Sequence, residues 1–487
     1  MERKKTTKLL LLSWGIPLII ITSYGLLSLQ GDLRYSIPLL TGVTGFLVIV
    51  LSAAHYFSEK QELPWSPVFI LSVAALIRCL FLFRTPELSD DIYRYIWDGL
   101  HVLHGNNPYR HAPVDVLPSG EFSLDLLKRI NHSELITIYP PAAQVIFMAG
   151  VFITKSFFGI KMLLCCIDLA TICMIMKILA HVEIEASRAV IYAWHPIPVL
   201  EIAASGHIDG AGVLFLLISI QYVLAASRRQ RESSPAKKDL LVAVSGFAFG
   251  TAALVKLQPM IILPCLFLIV PPGKRLLFGL SIVASMTILV IPFLPEMTNA
   301  FGTLNVYFSH WEFSNFFFRT LRSFTQSGDT ARLILVVFLI SIVSFLTVRL
   351  WKSAAQPASS RLFFMRHGDG IEERPIDSRK ETTLFFSYSY LILFVSLLVN
   401  PTLYPWYSII LICFLPFAAG PAGIIFSWSV LLSYSILIDY VYLGQWAESD
   451  LVPALIICGP VTGALLRKCM TYLHLPGKIH SLMRMNQ

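Results

Sequence analysis

Apolar runs recur along this chain at the length of a bilayer crossing, and no soluble fold can bury them all. They extend from Lys8 to about Leu29, then fall near 36–56, 65–83, 140–158, 161–180, 189–204, 209–226, 240–255, 258–271, 276–294, 331–350, 383–399, 405–420, 422–442 and 451–467. A helix is the form in which such a run satisfies its own backbone polar groups in lipid, and about 20 residues cross the hydrocarbon core. Of the 487 residues, 55% are hydrophobic and 14% charged, against about 45–50% and about 25% in soluble domains. The predicted class is all-α: a polytopic membrane protein of about 14 transmembrane helices.

Charge sets the expected orientation. Arg3, Lys4, Lys5 and Lys8 precede the first run, which is long for a signal peptide and lacks a small-residue cleavage site. It reads as an uncleaved span with a cytoplasmic N-terminus. Residues 1–83 then form N-terminal spans, and 84–139 an external loop too long for a connector without a task. Residues 140–350 form a transmembrane core that includes a second external loop, 296–330. Residues 351–382 form a charged cytoplasmic loop, and 383–487 the last spans and a cytoplasmic tail. The connector from Ser227 to Asp239 carries Arg228, Arg229, Arg231, Lys237 and Lys238, so it belongs inside. An even number of crossings must then separate Tyr139 from Gly206. One of the three runs between them does not cross, and the prolines of Trp194-His-Pro-Ile-Pro198 make a re-entrant or interfacial segment plausible there. The net charge of +8 sits in such connectors and does not suggest nucleic acid. The eight cysteines lie in or at the ends of apolar runs and read as packing residues without a disulfide framework.

Charges within spans are costly, so their placement is informative. They gather at the predicted external ends, most densely in Arg84-Thr-Pro-Glu-Leu-Ser-Asp-Asp-Ile-Tyr-Arg-Tyr-Ile-Trp-Asp-Gly99. On a helix Asp91, Arg94, Tyr95 and Asp98 share one face, and Tyr93, Ile96, Trp97 and Leu100 the other. Such a helix can lie on the membrane, aromatics in the headgroups and carboxylates in water. Asp90 and Asp91 could take a proton from a hydroxyl nucleophile, and as a pair they permit a divalent cation such as Mg or Mn without requiring one. The plainer reading is that acids at the first two helix positions, after Ser89 as N-cap, only stabilise the helix.

Other clusters carry the same ambiguity. Gly105-Asn-Asn-Pro-Tyr109 is a turn ending the helix, and Tyr139-Pro-Pro141 can simply open a span. Gly206-His-Ile-Asp209 puts an imidazole and a carboxylate at a span mouth. Lys256 is either a snorkelling anchor or a partner for a phosphate. Asp168, deep in an apolar run, reads as a partner for a neighbouring helix. Tyr404-Pro-Trp-Tyr407 reads first as an interface belt. His310, Trp311, Glu312 and Asn315 add polar groups in the second loop.

With Asp90-Asp91-Ile-Tyr-Arg-Tyr-Ile-Trp-Asp-Gly99, Gly105-Asn-Asn-Pro-Tyr109, Tyr139-Pro-Pro141, Trp194-His-Pro196, Gly206-His-Ile-Asp209, Lys256 and Pro405-Trp-Tyr407 in this order, the chain from about residue 84 onward resembles the polytopic glycosyltransferases of the GT-C fold. The resemblance is to the bacterial polyprenyl-phosphate-mannose-dependent mannosyltransferases of glycosyltransferase family 87. It implies an acidic general base in the first external loop, here Asp91 or Asp90, and a lipid-linked sugar phosphate as donor. It implies transfer of a hexose, here mannose, to a glycolipid or glycan on the external face of the bacterial inner membrane, with inversion. On this reading Arg94, Asp98, Tyr109, His207, Asp209, Lys256, Trp406 and Tyr407 serve substrate. Arg94, Lys256 and His207 neutralise the phosphate; Trp97, Trp311, Trp406 and Tyr407 stack on sugars. The simplest relatives place the acidic loop directly after the first span, whereas here two further apolar spans intervene. A lipid or sugar transporter is the alternative, supported by Asp168 and Glu201 at mid-span, although no internal repeat is visible. A membrane scaffold would not need the clustered acids.

Overall fold

Long apolar runs fold as long helices, and runs interrupted by closely spaced prolines fold as short pieces. The computed structural model describes residues 2–60, 63, 65–227, 234–294, 296–355, 378–418 and 420–473. Most of the predicted cytoplasmic loop 351–382, the middle of the basic connector and the tail beyond 473 lie outside these residues. In chain order the principal helices are α1 (Glu2–Ser28), α2 (Ile37–Glu59), α3 (Pro67–Leu82) and α4 (Asp91–Leu103). They continue with α5 (Pro141–Ile153), α6 (Phe157–His181), α7 (Asp209–Ser227) and α8 (Pro235–Val255). Next come α9 (Leu263–Ile269), α10 (Arg275–Val290), α11 (Ala300–His310) and α12 (Phe316–Thr325). The last are α13 (Gly328–Ala355), α14 (Ser378–Val399), α15 (Ala422–Leu443) and α16 (Leu451–Leu473). The expected class holds: an all-α, polytopic membrane protein.

Eight helices among the described residues are long and apolar enough to cross a bilayer, with five shorter apolar helices beside them. The expectation of about 14 counted residues 405–420 as a span. Those residues instead form short pieces at Pro405–Ser408, Ile409–Ile412 and Leu415–Ala418.

The run 189–204 is the broken one. Pro196 and Pro198 cannot continue a helical ladder, so it folds as Val190–Ala193, Pro196–Pro198 and a π-turn, Val199–Ala204. Every residue from 189 to 213 is buried. Irregular backbone at membrane depth is tolerated where protein surrounds it, and here its polar groups find partners. His195 accepts from the backbone N–H of Ile197 at 3.1 Å and meets Ser427 Oγ at 2.8 Å. The Trp194 carbonyl accepts from the Tyr24 hydroxyl at 2.8 Å. Arg78 Nε donates to Asp168 Oδ2 at 2.6 Å, Arg78 Nη1 to the Ala193 carbonyl at 2.8 Å, and the Tyr192 hydroxyl to Asp168 Oδ1 at 2.7 Å. Asp168 thus joins α6 to α3 and the broken segment, as its position in an apolar run predicts.

The two long loops are tied together over the site. Asn107 Nδ2 donates to the Phe293 carbonyl at 2.7 Å and to Glu296 at 2.9 Å, and Asn299 Nδ2 to the Tyr109 carbonyl at 3.0 Å. Phe313 exchanges backbone hydrogen bonds with Pro401 and Leu403. Asn315 donates to the carbonyls of Leu398 and Asn400 at 2.8 and 2.7 Å.

Candidate active site

The helix α4 begins one residue later than the spacing predicts. Asp90, not Ser89, is the N-cap, and the Ser89 hydroxyl accepts from the Asp91 backbone N–H at 3.3 Å. A second correction concerns the far face of α4. Residues 92–100 are all buried, so its aromatics do not lie in lipid headgroups. Tyr95 stacks on Phe147 at 4.3 Å, and Trp97 meets Phe122 edge-on at 5.0 Å. Gly99 permits the approach to α5, because a Cβ there would lie 2.6 Å from the Phe147 carbonyl oxygen. The flanking loop covers the side that sequence periodicity leaves open to a membrane surface.

Arg84 and Glu87 brace the loop entrance. Arg84 donates to the Ser28 and Gln30 carbonyls at 2.5 and 2.6 Å, and Glu87 accepts from Leu33 N–H at 2.8 Å. Lys161, on α6, caps the end of α3 by donating to the carbonyls of Phe81 and Arg84 at 2.8 and 2.6 Å.

This framework holds Asp90 and Asp91 on a cavity of about 1290 Å³. Asp91 is enclosed by protein but keeps 29% of its side chain open to that space. The Tyr139 hydroxyl donates to its Oδ2 at 3.3 Å, and His207 Nδ1 lies 3.7 Å away, beyond hydrogen-bond reach. Burial pushes the Asp91 carboxyl up to about 6; Lys256 opposes this, Asp209 adds to it, and Tyr139 opposes it slightly. Asp90 is also raised by burial, against the pull of Arg34 and Arg129. A carboxylate poised near neutrality is a competent general base.

Gly206 brings His207 behind Asp91. Its φ of +80° favours glycine, and a Cβ there would strike Ile92 of α4. The His207 ring is buried, stacks on Trp406 at 3.9 Å, and has Nε2 3.6 Å from Glu201 Oε2. Glu201 in turn accepts from the Tyr434 hydroxyl at 2.8 Å. Asp209 starts α7 and pairs with Lys256 Nζ at 2.7 Å, and that ammonium sits 4.6 Å over the Tyr407 ring. Tyr407 and Tyr307 share a hydroxyl–hydroxyl contact of 2.6 Å.

The cavity therefore has two characters. Its lining includes the polar and aromatic residues Asp90, Asp91, Arg94, Lys256, Trp406 and Tyr407 as well as the apolar Leu304, Leu335, Val336, Leu339 and Leu397. His310, Trp311 and Glu312 also line it. Tyr404 and Trp406 belong to its wall and not to an interface belt, stacking on each other at 4.4 Å. Asp98, Tyr109, His207, Asp209 and Trp97 are not on the cavity wall. Asp98 accepts from Arg94 Nε at 2.8 Å and from Gln144 at 3.2 Å. Tyr109 donates to the Tyr139 carbonyl at 2.5 Å, which makes the Gly105–Tyr109 turn a support for Tyr139. Tyr139 itself was read only as the start of a span. An aromatic placed before two prolines at a cavity mouth was the signal available. Among the described residues no three His, Cys, Asp or Glu side chains converge as a metal site, so Asp90 and Asp91 would have to hold a cation alone.

A family model described as "Alpha-(1->6)-mannopyranosyltransferase, N-terminal domain" matches residues 28–272, which include α4 and Lys256. No curated protein matches the chain. Among solved structures, the chain is similar to ArnT from Cupriavidus metallidurans bound to undecaprenyl phosphate. The similarity has a TM-score of 0.44 and 14% identity, over 81% of this chain and 75% of that one.

Proposed function

The chain belongs to the alpha-(1->6)-mannopyranosyltransferase family, and on that premise we propose that it moves mannose from a polyprenyl-phosphate donor to a glycolipid or glycan hydroxyl, with Asp91 as general base. The observation that carries this reading is the setting of Asp91. It is a carboxyl raised to about 6 by burial, open to a cavity lined by both polar and apolar residues.

In the proposed reaction the acceptor hydroxyl gives its proton to Asp91 as its oxygen attacks the anomeric carbon. The bond to the phosphate oxygen breaks, and the polyprenyl phosphate departs with the electron pair. Direct displacement inverts the anomeric centre. Lys256 is on the cavity wall and keeps N–H groups beyond its pairing with Asp209 for the leaving phosphate. Trp406 and Tyr407 offer aromatic surface for the sugar. The active side is proposed to be the external face, with both termini cytoplasmic.

The transporter alternative rested on Asp168 and Glu201. Both are internally bonded, to Arg78 with Tyr192 and to Tyr434 respectively, which favours structural roles for them. The test is to incubate purified protein with radiolabelled polyprenyl-phosphate mannose and an acceptor extract. Label should transfer with wild type and with Asp90→Asn, and fall away with Asp91→Asn. Movement of the lipid without transfer would support the transporter. Transfer by Asp91→Asn at the wild-type rate would remove Asp91 from the base role.

A further inference from the structure

The cations that the family resemblance assigns to the donor's phosphate each hold a carboxylate or lie off the cavity, although Lys256 keeps further N–H groups and Arg94 Nη2 has no hydrogen-bond partner among the described residues. Arg94 pairs with Asp98 and donates to the Leu135 carbonyl, Lys256 pairs with Asp209, and His207 lies behind Asp91 off the cavity. Another cation on the wall is less engaged. Arg332 stands in the first turns of α13, with 15% of its side chain exposed. Its Nη1 lies 3.5 Å from Asp329, a carboxylate open to solvent. Its nearer enclosed acid, Glu312, is 3.9 Å from Nη2 and is held more tightly by Arg322 at 2.5 Å. Two arginines thus share one enclosed carboxylate, the second acid, Asp329, being open to solvent.

The geometry of the unused atoms is specific. Arg332 Nε and Nη2 are buried and have no hydrogen-bond partner among the described residues, Nη2 keeping only the long approach to Glu312. These two N–H groups form the parallel edge with which a guanidinium grips two phosphate oxygens. The Phe318 ring lies 5.0 Å from the guanidinium carbon and fixes its plane. Below Arg332 on the same helical face, at i+3, i+4 and i+7, come Leu335, Val336 and Leu339. All four residues line the one cavity. A polar fork above an apolar stripe on a span-length helix matches a phosphate joined to a long hydrocarbon.

We infer that Arg332 anchors the phosphate of the prenyl-phosphate donor, with the isoprenoid tail running along Leu335, Val336 and Leu339 of α13. This rests on the donor class proposed above and names the residue that holds it.

The test measures binding without turnover. Full-length protein in phosphatidylcholine nanodiscs is titrated with undecaprenyl phosphate, undecaprenol and inorganic phosphate, followed by tryptophan fluorescence. Wild type should prefer undecaprenyl phosphate to both other probes. Arg332→Ala and Arg332→Gln should weaken undecaprenyl phosphate about tenfold or more, and leave undecaprenol unchanged. Arg332→Lys should lose about threefold or more, because an ammonium lacks the fork. Leu339→Glu should weaken both lipids. If the alanine variant does not fold, the Gln and Lys variants decide. Unchanged undecaprenyl phosphate affinity in the Arg332 variants overturns the anchor while leaving the donor class standing. Inorganic phosphate binding as tightly as the lipid would assign a soluble anion and overturn it too. If wild type binds no undecaprenyl phosphate, the donor class itself fails and the anchor with it.

Discussion

Asp91 and Asp98 lie about two turns apart on one face of α4, in surroundings with little in common. Asp98 is 1% exposed and accepts from Arg94 of its own helix and from Gln144 of α5. Asp91 opens on the cavity, accepts one long hydrogen bond from Tyr139, and among the described residues has no arginine or lysine partner within ion-pair distance. A stripe that is uniform in sequence is divided by its tertiary partners. The end whose charge is answered internally holds the helix in place. The end whose charge is left open is available for proton transfer.

The division can be broken at several strengths. Asp91→Asn should lower transfer by about 10²–10⁴-fold, with elution profile and melting temperature kept; a variant with more than about a tenth of wild-type transfer would erase the distinction. Asp98→Ala strands Arg94 and should cost about 3–5 kcal/mol of stability, read as a lower denaturation midpoint, while the folded fraction still transfers. A stable Asp98→Ala protein with no activity would reverse the two roles. The pH profile gives a finer test. Asp91 works ionised, so transfer should fall as pH drops through about 6, about tenfold per unit well below it, and Asp98→Asn should keep that inflection. Tyr139→Phe is the subtlest. Its hydroxyl favours the charged carboxylate, so its loss should move the inflection to higher pH by a fraction of a unit and leave the plateau rate nearly unchanged.

Much of this was legible in the residues. The apolar runs predicted the helices, the prolines of Trp194–Pro198 marked the broken segment, and the acidic stretch carried the family resemblance. The Arg94–Asp98 pairing was also legible, since four residues is ion-pair spacing on a helix. What could not be read was which polar groups meet across the chain. Nothing near Arg78 announces Asp168, and nothing near Glu201 announces Tyr434. Arg332 looks like any basic residue at a span end, because the acid that only partly answers it belongs to the preceding loop. The burial of Trp97 was hidden for a related reason. Periodicity gives a helix its faces but does not say which one a distant loop will cover.

The segment from 189 to 205 also has a consequence for how the protein is made. It presents no face to lipid, and several of its partners are synthesised long after it. Ser427, which meets His195, and Tyr434, which bonds Glu201, emerge more than 200 residues later. Trp406, which stacks on His207, comes late as well. A nascent chain that has passed the family-matched portion, 28–272, has its acidic helix, His207, Asp209 and Lys256 but not Trp406 or Tyr407. The segment gains its full set of partners only when the last third of the chain has been made. The aromatic wall of the site is therefore added by the last third of the chain, and a chain stopped short of residue 405 would carry Asp91 with Tyr139, Asp209 and Lys256 but without Trp406 and Tyr407.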